Sequence, residues 1–93
     1  MIKTFKDAET EKIYHRERSR KLPPDIQQVA LRKLRMINNA INLNDLSVPP
    51  ANRLEKLSGD RAGQHSIRIN DQWRICFEWL GSDAFNVEIT DYH

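Results

Sequence analysis

The run Gln64-His65-Ser66-Ile67-Arg68-Ile69-Asn70, followed by Trp73-Arg74-Ile75-Cys76-Phe77-Glu78-Trp79-Leu80, decides how this chain folds. In the first segment His65, Ile67 and Ile69 alternate with Ser66, Arg68 and Asn70; in the second, Trp73, Ile75, Phe77 and Trp79 alternate with Arg74, Cys76 and Glu78. A period of two is that of a strand with one buried face. The link Asn70-Asp71-Gln72 is too short for a crossover and rich in turn formers, so the two strands should form an antiparallel hairpin. Gly81-Ser82-Asp83 makes a second turn of this kind into Phe85 to Thr90, which alternates again. Parity then assigns the faces. Ile67, Ile69, Ile75, Phe77, Val87 and Ile89 point into a core, while Ser66, Arg68 and Arg74 share the other, open face.

The cover for the apolar face lies upstream. Pro23-Pro24-Asp25 suits a helix start, because proline is tolerated in the first turn and a carboxylate there meets the positive end of the helix dipole. Ile26, Ala30, Leu34, Ile37 and Ile41 follow at steps of four, four, three and four, which places them on one stripe. Before this helix, Asp7 is the expected cap of a shorter one, with Glu9 and Glu11 in its first turn and Arg16 and Arg18 at its end, and Met1 to Phe5 reads as a short strand. Leu43 to Asn52 contains Asn44, Asp45, Pro49 and Pro50, and is expected to run over the surface into Arg53-Leu54-Glu55-Lys56-Leu57. The architecture implied is α+β: two N-terminal helices on one face of a small, mainly antiparallel sheet. A chain of 93 residues has room for one core, so one domain over residues 1–93 is expected.

Composition narrows the function. Apolar residues make up 39% and charged residues 30%, the balance of an ordinary globule and not of a disordered tail. No apolar run approaches the roughly 18 residues that span a bilayer, and Met1 to Asp7 lacks the apolar centre of a secretory signal, so the expectation is a cytoplasmic protein with no membrane partner. Cys76 is the only cysteine, which rules out an internal disulfide and makes packing its expected role. The net charge of +2 says little, but its distribution says more. From Ala51 to Arg74 there are five basic residues (Arg53, Lys56, Arg61, Arg68, Arg74) against three acidic ones, while Ile75 to His93 holds four acidic residues and no Lys or Arg. Arg16, Arg18, Arg20 and Lys21 form a second cluster that reads as a solvated helix end.

Several chemistries find no support. His15, His65, His93 and Cys76 are scattered singly, without the paired spacing of zinc ligands. There is no Gly-x-Ser-x-Gly turn, and three glycines make no phosphate-cradling loop, so no metal or cofactor is expected. What remains is Arg68, Arg74 and the final Asp91-Tyr92-His93. Cutting RNA without a metal needs a base for the 2′-hydroxyl, a cation for the charge on the pentacoordinate phosphate, and an acid for the leaving 5′ oxygen. Arginine supplies a permanent fork-shaped cation, and histidine exchanges a proton near neutral pH. Two readings are open for the arginines, since strand arginines also pair with neighbouring carboxylates, here Glu78 or Glu88. Tyr92 and His93 equally read as a frayed terminus, and His65, on the parity of Ile67 and Ile69, as a partly buried structural histidine. His93 is expected to have a raised pKa, from the α-carboxylate it carries and from Asp91, which favours a general acid.

The stretch Asn52-Arg53-Leu54-Glu55-Lys56-Leu57-Ser58-Gly59-Asp60-Arg61-Ala62-Gly63, then Ser66-Ile67-Arg68, then Asn70-Asp71-Gln72-Trp73-Arg74-Ile75-Cys76-Phe77, and the terminal Asp91-Tyr92-His93 resemble the HigB toxins of the RelE/ParE superfamily. The resemblance covers essentially the whole chain and is least distinctive in the first helix. It implies a RelE-like fold whose concave sheet face receives messenger RNA in the ribosomal A site and cleaves it by 2′-hydroxyl attack without a metal. On that resemblance Arg74 binds the scissile phosphate, Asp91, Tyr92 and His93 form the acid-base and orienting end of the site, and Arg53, Lys56, Arg61 and Arg68 hold RNA phosphates. Some members carry a histidine and a lysine where this chain has Glu55 and Ser58. The resemblance also implies a helix-turn-helix antitoxin of the HigA type. Two alternatives share the fold: a noncatalytic module that binds RNA or a protein, and a ParE-like gyrase poison, against which the terminal tripeptide argues.

Overall fold

The hairpin predicted from the alternation is the centre of a four-stranded antiparallel sheet. The computed structural model describes residues 1–91, in the order α1 (Ala8–Tyr14), α2 (Pro24–Asn39), β1 (Glu55–Lys56), β2 (Gln64–Arg68), β3 (Arg74–Leu80) and β4 (Asp83–Thr90), with strands adjacent in chain order. In the β2–β3 turn Asn70 mimics a strand partner: its side-chain oxygen accepts from the backbone N–H of Gln72 at 2.8 Å and of Trp73 at 2.7 Å. The register that follows sets Arg68 opposite Arg74, Ile67 opposite Ile75, Ser66 opposite Cys76 and His65 opposite Phe77. On the far side of β3, Arg74 faces Thr90 and Ile75 faces Ile89.

The helix-covered face follows the predicted parity. Ile67, Ile75, Phe77 and Val87 are fully buried against Leu34, Ile37 and Ala30 of α2 and Ile13 of α1, and each large aliphatic or aromatic side chain so placed contributes roughly 1.5–3 kcal/mol. Thr10 fastens α1 to the end of β4, its buried hydroxyl accepting from the Ile89 N–H at 2.9 Å. Asp7 caps α1 as predicted, accepting from the Thr10 N–H at 3.1 Å.

The structure corrects the sequence reading in four places. α1 stops at Tyr14, before Arg16 and Arg18, through a C-terminal cap in which Arg16 takes φ 65 and the Glu17 N–H reaches the Lys12 carbonyl at 2.8 Å. Ile41 is not on the buried stripe but 68% exposed, because the chain leaves α2 at Ala40 and Asp45 captures the N–H groups of Ile41 and Asn42 at 3.0 Å each. The segment from Leu43 to Asn52 is more than a surface connection: it forms two 3-10 turns, Leu43–Ser47 and Pro50–Asn52, and buries Leu46 and Asn52. Met1 to Phe5 is not a strand but pairs with β4 at two isolated parallel bridges, Ile2 to Ala84 and Phe5 to Val87. Between them Asn86 sits in the left-handed region at φ 52 and gives its N–H to the Thr4 hydroxyl at 2.8 Å, which interrupts the ladder. No helix among the described residues is long and apolar enough to cross a membrane.

Candidate active site

Arg74 opens β3 at the end of the sheet where the described chain also finishes. Its side chain runs back over β2. Nε donates to the Ser66 hydroxyl at 2.7 Å, and Nη2 donates to the Arg53 carbonyl at 2.6 Å and to the Ser66 carbonyl at 3.3 Å. All of these acceptors are neutral oxygens, and among the described residues no carboxylate pairs with Arg74. Directly across, Arg68 puts a second guanidinium on the same face. Like charges opposite one another on a sheet are unfavourable, and Asp71, one turn away and fully exposed, relieves the opposition by pairing with Arg68. The pairing with Glu78 or Glu88 left open by the sequence is absent. Glu78 accepts from the Asn86 amide, while Glu88 takes Arg61 at 3.0 Å and Lys6 at 3.7 Å.

The rest of this face is less open than parity alone predicts. Ser66 is completely buried and Cys76 is 1% exposed, and Cys76 and Leu57 bury apart from the helix-covered core. Burial, with Glu88 nearby, pushes the Cys76 thiol up to about 11 against the pull of Arg61, so it is a small packed group and not a nucleophile.

The structure gathers some of the predicted site residues and separates others. Arg53 lies at the site through its backbone, in a left-handed conformation (φ 45) with its side chain exposed. Arg61 shares the face but is committed to Gln64 at 3.1 Å and to Glu88. Lys56 pairs in register with His65 and Glu55 with Ser66, so Glu55, not Lys56, has the parity of the Arg74 face. Asp91 follows Thr90, the strand partner of Arg74, and accepts from Gln72 Nε2 at 2.9 Å. Tyr92 and His93, with the raised His93 pKa expected from sequence, lie outside the described residues. His65 is half-buried against Phe77, with ring centroids 6.1 Å apart. Burial, then the charge of Lys56, lowers its pKa. Arg16 and Arg18 border a groove of about 480 Å³ with Leu31 and Arg35 on the helical side, away from the sheet face. Among the described residues no three His, Cys, Asp or Glu side chains come together in a group able to hold a metal ion.

Lys33 was missed from sequence. It is 5% exposed on α2 and its ammonium donates to the side-chain oxygen of the fully buried Asn52. Burial first, then the charges of Arg32 and Arg68, lowers its pKa. The signal was present in the spacing: Lys33 stands seven residues after Ile26 and four before Ile37, on the buried stripe itself.

Comparison with known proteins gives a consistent picture. Residues 3–93 match the family model described as RelE-like toxin of type II toxin-antitoxin system HigB. The chain is 39% identical to "Toxin HigB-1" of Vibrio cholerae serotype O1 over 87 residues, 92% of each chain. It is 31% identical to "Endoribonuclease HigB" of Proteus vulgaris, with both chains fully covered. Among solved structures, the YoeB-YefM complex from Staphylococcus aureus contains a similar chain, with TM-score 0.62 at 16% identity over 100% of this chain and 98% of that one. YafQ from E. coli strain BL21(DE3) is similar at TM-score 0.59 and 13% identity, over 98% and 91%. These two likenesses show the fold.

Proposed function

The chain belongs to the HigB-like family of RelE-like toxins of type II toxin-antitoxin systems, and we propose that it is a ribosome-dependent, metal-independent endoribonuclease that cuts translated messenger RNA in the A site and so arrests growth. Membership of a type II system gives it an antitoxin partner. That the antitoxin is a HigA-like helix-turn-helix protein, that the other partners are the ribosome and messenger RNA, that the toxin works in the cytoplasm, and that residues 1–93 act as one toxin domain all belong to the proposal. The endoribonuclease name of the Proteus vulgaris relative supports it.

One observation carries the reading. Arg74, opposed by Arg68, is held among the described residues by neutral oxygens and by no carboxylate, at the end of the sheet where Asp91 begins the terminal tripeptide. In the reaction proposed, the 2′-oxygen attacks the adjacent phosphorus, the 5′ oxygen leaves, and Arg74 stabilises the charge that builds on the phosphoryl oxygens. Asp91, Tyr92 and His93 supply proton transfer and orientation, and His93 protonates the leaving oxygen. Arg68 turns from Asp71 to a neighbouring phosphate, and Arg53, Arg61 and, from the edge of β1, Lys56 hold the flanking backbone.

Mapping of transcript 5′ ends after brief induction tests this directly. New ends that appear only while translation proceeds, and vanish when Tyr92 and His93 are removed, are the expected result. Growth arrest without new ends would point to a binding module, and DNA-damage signals without new ends to a gyrase poison.

A further inference from the structure

The sequence block around Asn52-Arg53 contributes a structural element that the proposed chemistry has not used. Asn52 is completely buried, and every polar atom of its side chain is engaged: the oxygen accepts from Lys33, and the amide donates to the Leu46 carbonyl at 3.2 Å and lies 3.5 Å from that of Val48. Its own N–H is taken by the Pro49 carbonyl at 2.9 Å. The next residue, Arg53, is forced into the left-handed region, which a side chain with a Cβ adopts only when its surroundings impose it. The carbonyl that Arg53 thereby presents is the one that receives Nη2 of Arg74 at 2.6 Å. A buried lysine on α2 is thus joined through two side chains and one peptide to the guanidinium on β3.

We propose that Lys33 and Asn52 form a buried brace that positions Arg74, by fixing the Arg53 carbonyl on which its guanidinium rests. The burial of a lysine whose direct partner is a neutral amide makes sense on this view. An ammonium removed from water is unfavourable unless hydrogen-bonded, and the protein accommodates one here where its donor locks the loop that carries the Arg53 carbonyl. The alternative acceptor for Arg74, a carboxylate, would hold it equally firmly but would cancel the charge that the phosphate needs. Lys33 and Asn52 touch no substrate on this account and are positioning residues.

The inference rests on the proposed cleavage, and its test keeps the two apart. Lys33→Met retains the length of the apolar stem and removes the donor, and Lys33→Gln restores a shorter one. Single-turnover cleavage of ribosome-bound messenger RNA by Lys33→Met should fall about tenfold or more at saturating substrate with half-saturation unchanged, as displacement of a catalytic group does. Lys33→Gln should recover part of the loss. In an Arg74→Ala background the same Lys33→Met change should cost no more than about twofold, because the group it positions is gone. Equal losses in both backgrounds, or full activity in folded Lys33→Met, would overturn the brace. A readout independent of activity is the guanidinium of Arg74 in the wild-type protein by NMR. Slow rotation and slow proton exchange relative to exposed Arg35 are expected, and behaviour indistinguishable from Arg35 would overturn the inference even if Lys33 variants fail to fold. Absence of any cleavage by the wild type would instead sink the proposed function and leave the NMR test standing.

Discussion

Two arginines on one face of this sheet are held in opposite ways. Arg61 rests on Glu88 and Gln64, and Glu88 is shared with Lys6, so its charge is met within the protein. Arg74 rests on the Ser66 hydroxyl, the Ser66 carbonyl and the Arg53 carbonyl, and faces a second arginine. Both guanidinium groups are ordered by hydrogen bonds, but among the described residues no carboxylate meets the charge of Arg74. A fixed cation with its charge intact is what an oxyanion-stabilising group requires, while a cation already paired must exchange partners first. On the proposed function, the contrast suits Arg74 to the centre of the reaction and Arg61 to a peripheral contact.

The largest effect that can break this contrast is removal of Arg74. Arg74→Ala should lower cleavage by on the order of 10²-fold, the cost of losing one donor to a developing oxyanion. Arg74→Lys should restore only part, since an ammonium lacks the fork that meets two oxygens at once. Melting temperature, measured alongside, should hold in both; a large drop would mean the arginine packs more than it catalyses. Next in size is Ser66→Ala. It deletes the acceptor of Nε at 2.7 Å, a hydrogen bond to a charged group, and should slow cleavage by about tenfold. If Ser66→Ala leaves the rate unchanged while Arg74→Ala abolishes it, the orientation of Arg74 comes from its other contacts alone.

A smaller effect tests the Arg61 side of the comparison. Glu88→Gln removes one negative charge from between Arg61 and Lys6, which should free a cation for RNA phosphate. Binding to single-stranded RNA should then show a log–log salt slope steeper by roughly 0.7, read by fluorescence anisotropy across a salt series. An unchanged slope would place Arg61 outside the RNA path.

How much of this was legible before the structure depends on the range of the interaction. The β2–β3 hairpin and the faces of Ile67, Ile75, Arg68 and Arg74 follow from a two-residue period and a short turn, both local. The stripe on α2 was legible as far as Ile37 and misled at Ile41, because the helix stop comes from Asp45, a residue beyond the helix that captures two N–H groups. Cys76 packs as its sequence position suggested, but the burial of Ser66 on the supposedly open face was not legible, since parity says which way a side chain points and not what folds over it. Arg74 could be picked out by chemistry and family pattern, but its choice of neutral oxygens over Glu78 or Glu88 depends on the left-handed turn at Arg53. That turn depends on contacts between α2 and a loop nineteen positions away from Lys33, a distance at which no local pattern operates.

The smallest expected effect separates the two sides of β2. His65 is the sequence neighbour of Ser66 but points to the opposite face, against Phe77. Its pKa lies below the ordinary 6.5, lowered by burial and then by Lys56. The unfolded chain therefore binds a proton to this residue more readily than the folded one. Its contribution to stability is intact above the unfolded value and is lost as pH falls from there through the lower folded value. Wild-type melting temperature should decline as pH falls below about 6.5, and His65→Gln should flatten that decline. The same substitution should leave the shape of the pH–rate profile as it was, because the proposed chemistry exchanges its protons on the Arg74 face and His65 points to the other. A change in the rate profile with no change in the melting profile would reverse the assignment of faces, and with it the distinction between the arginine proposed for catalysis and the histidine that packs.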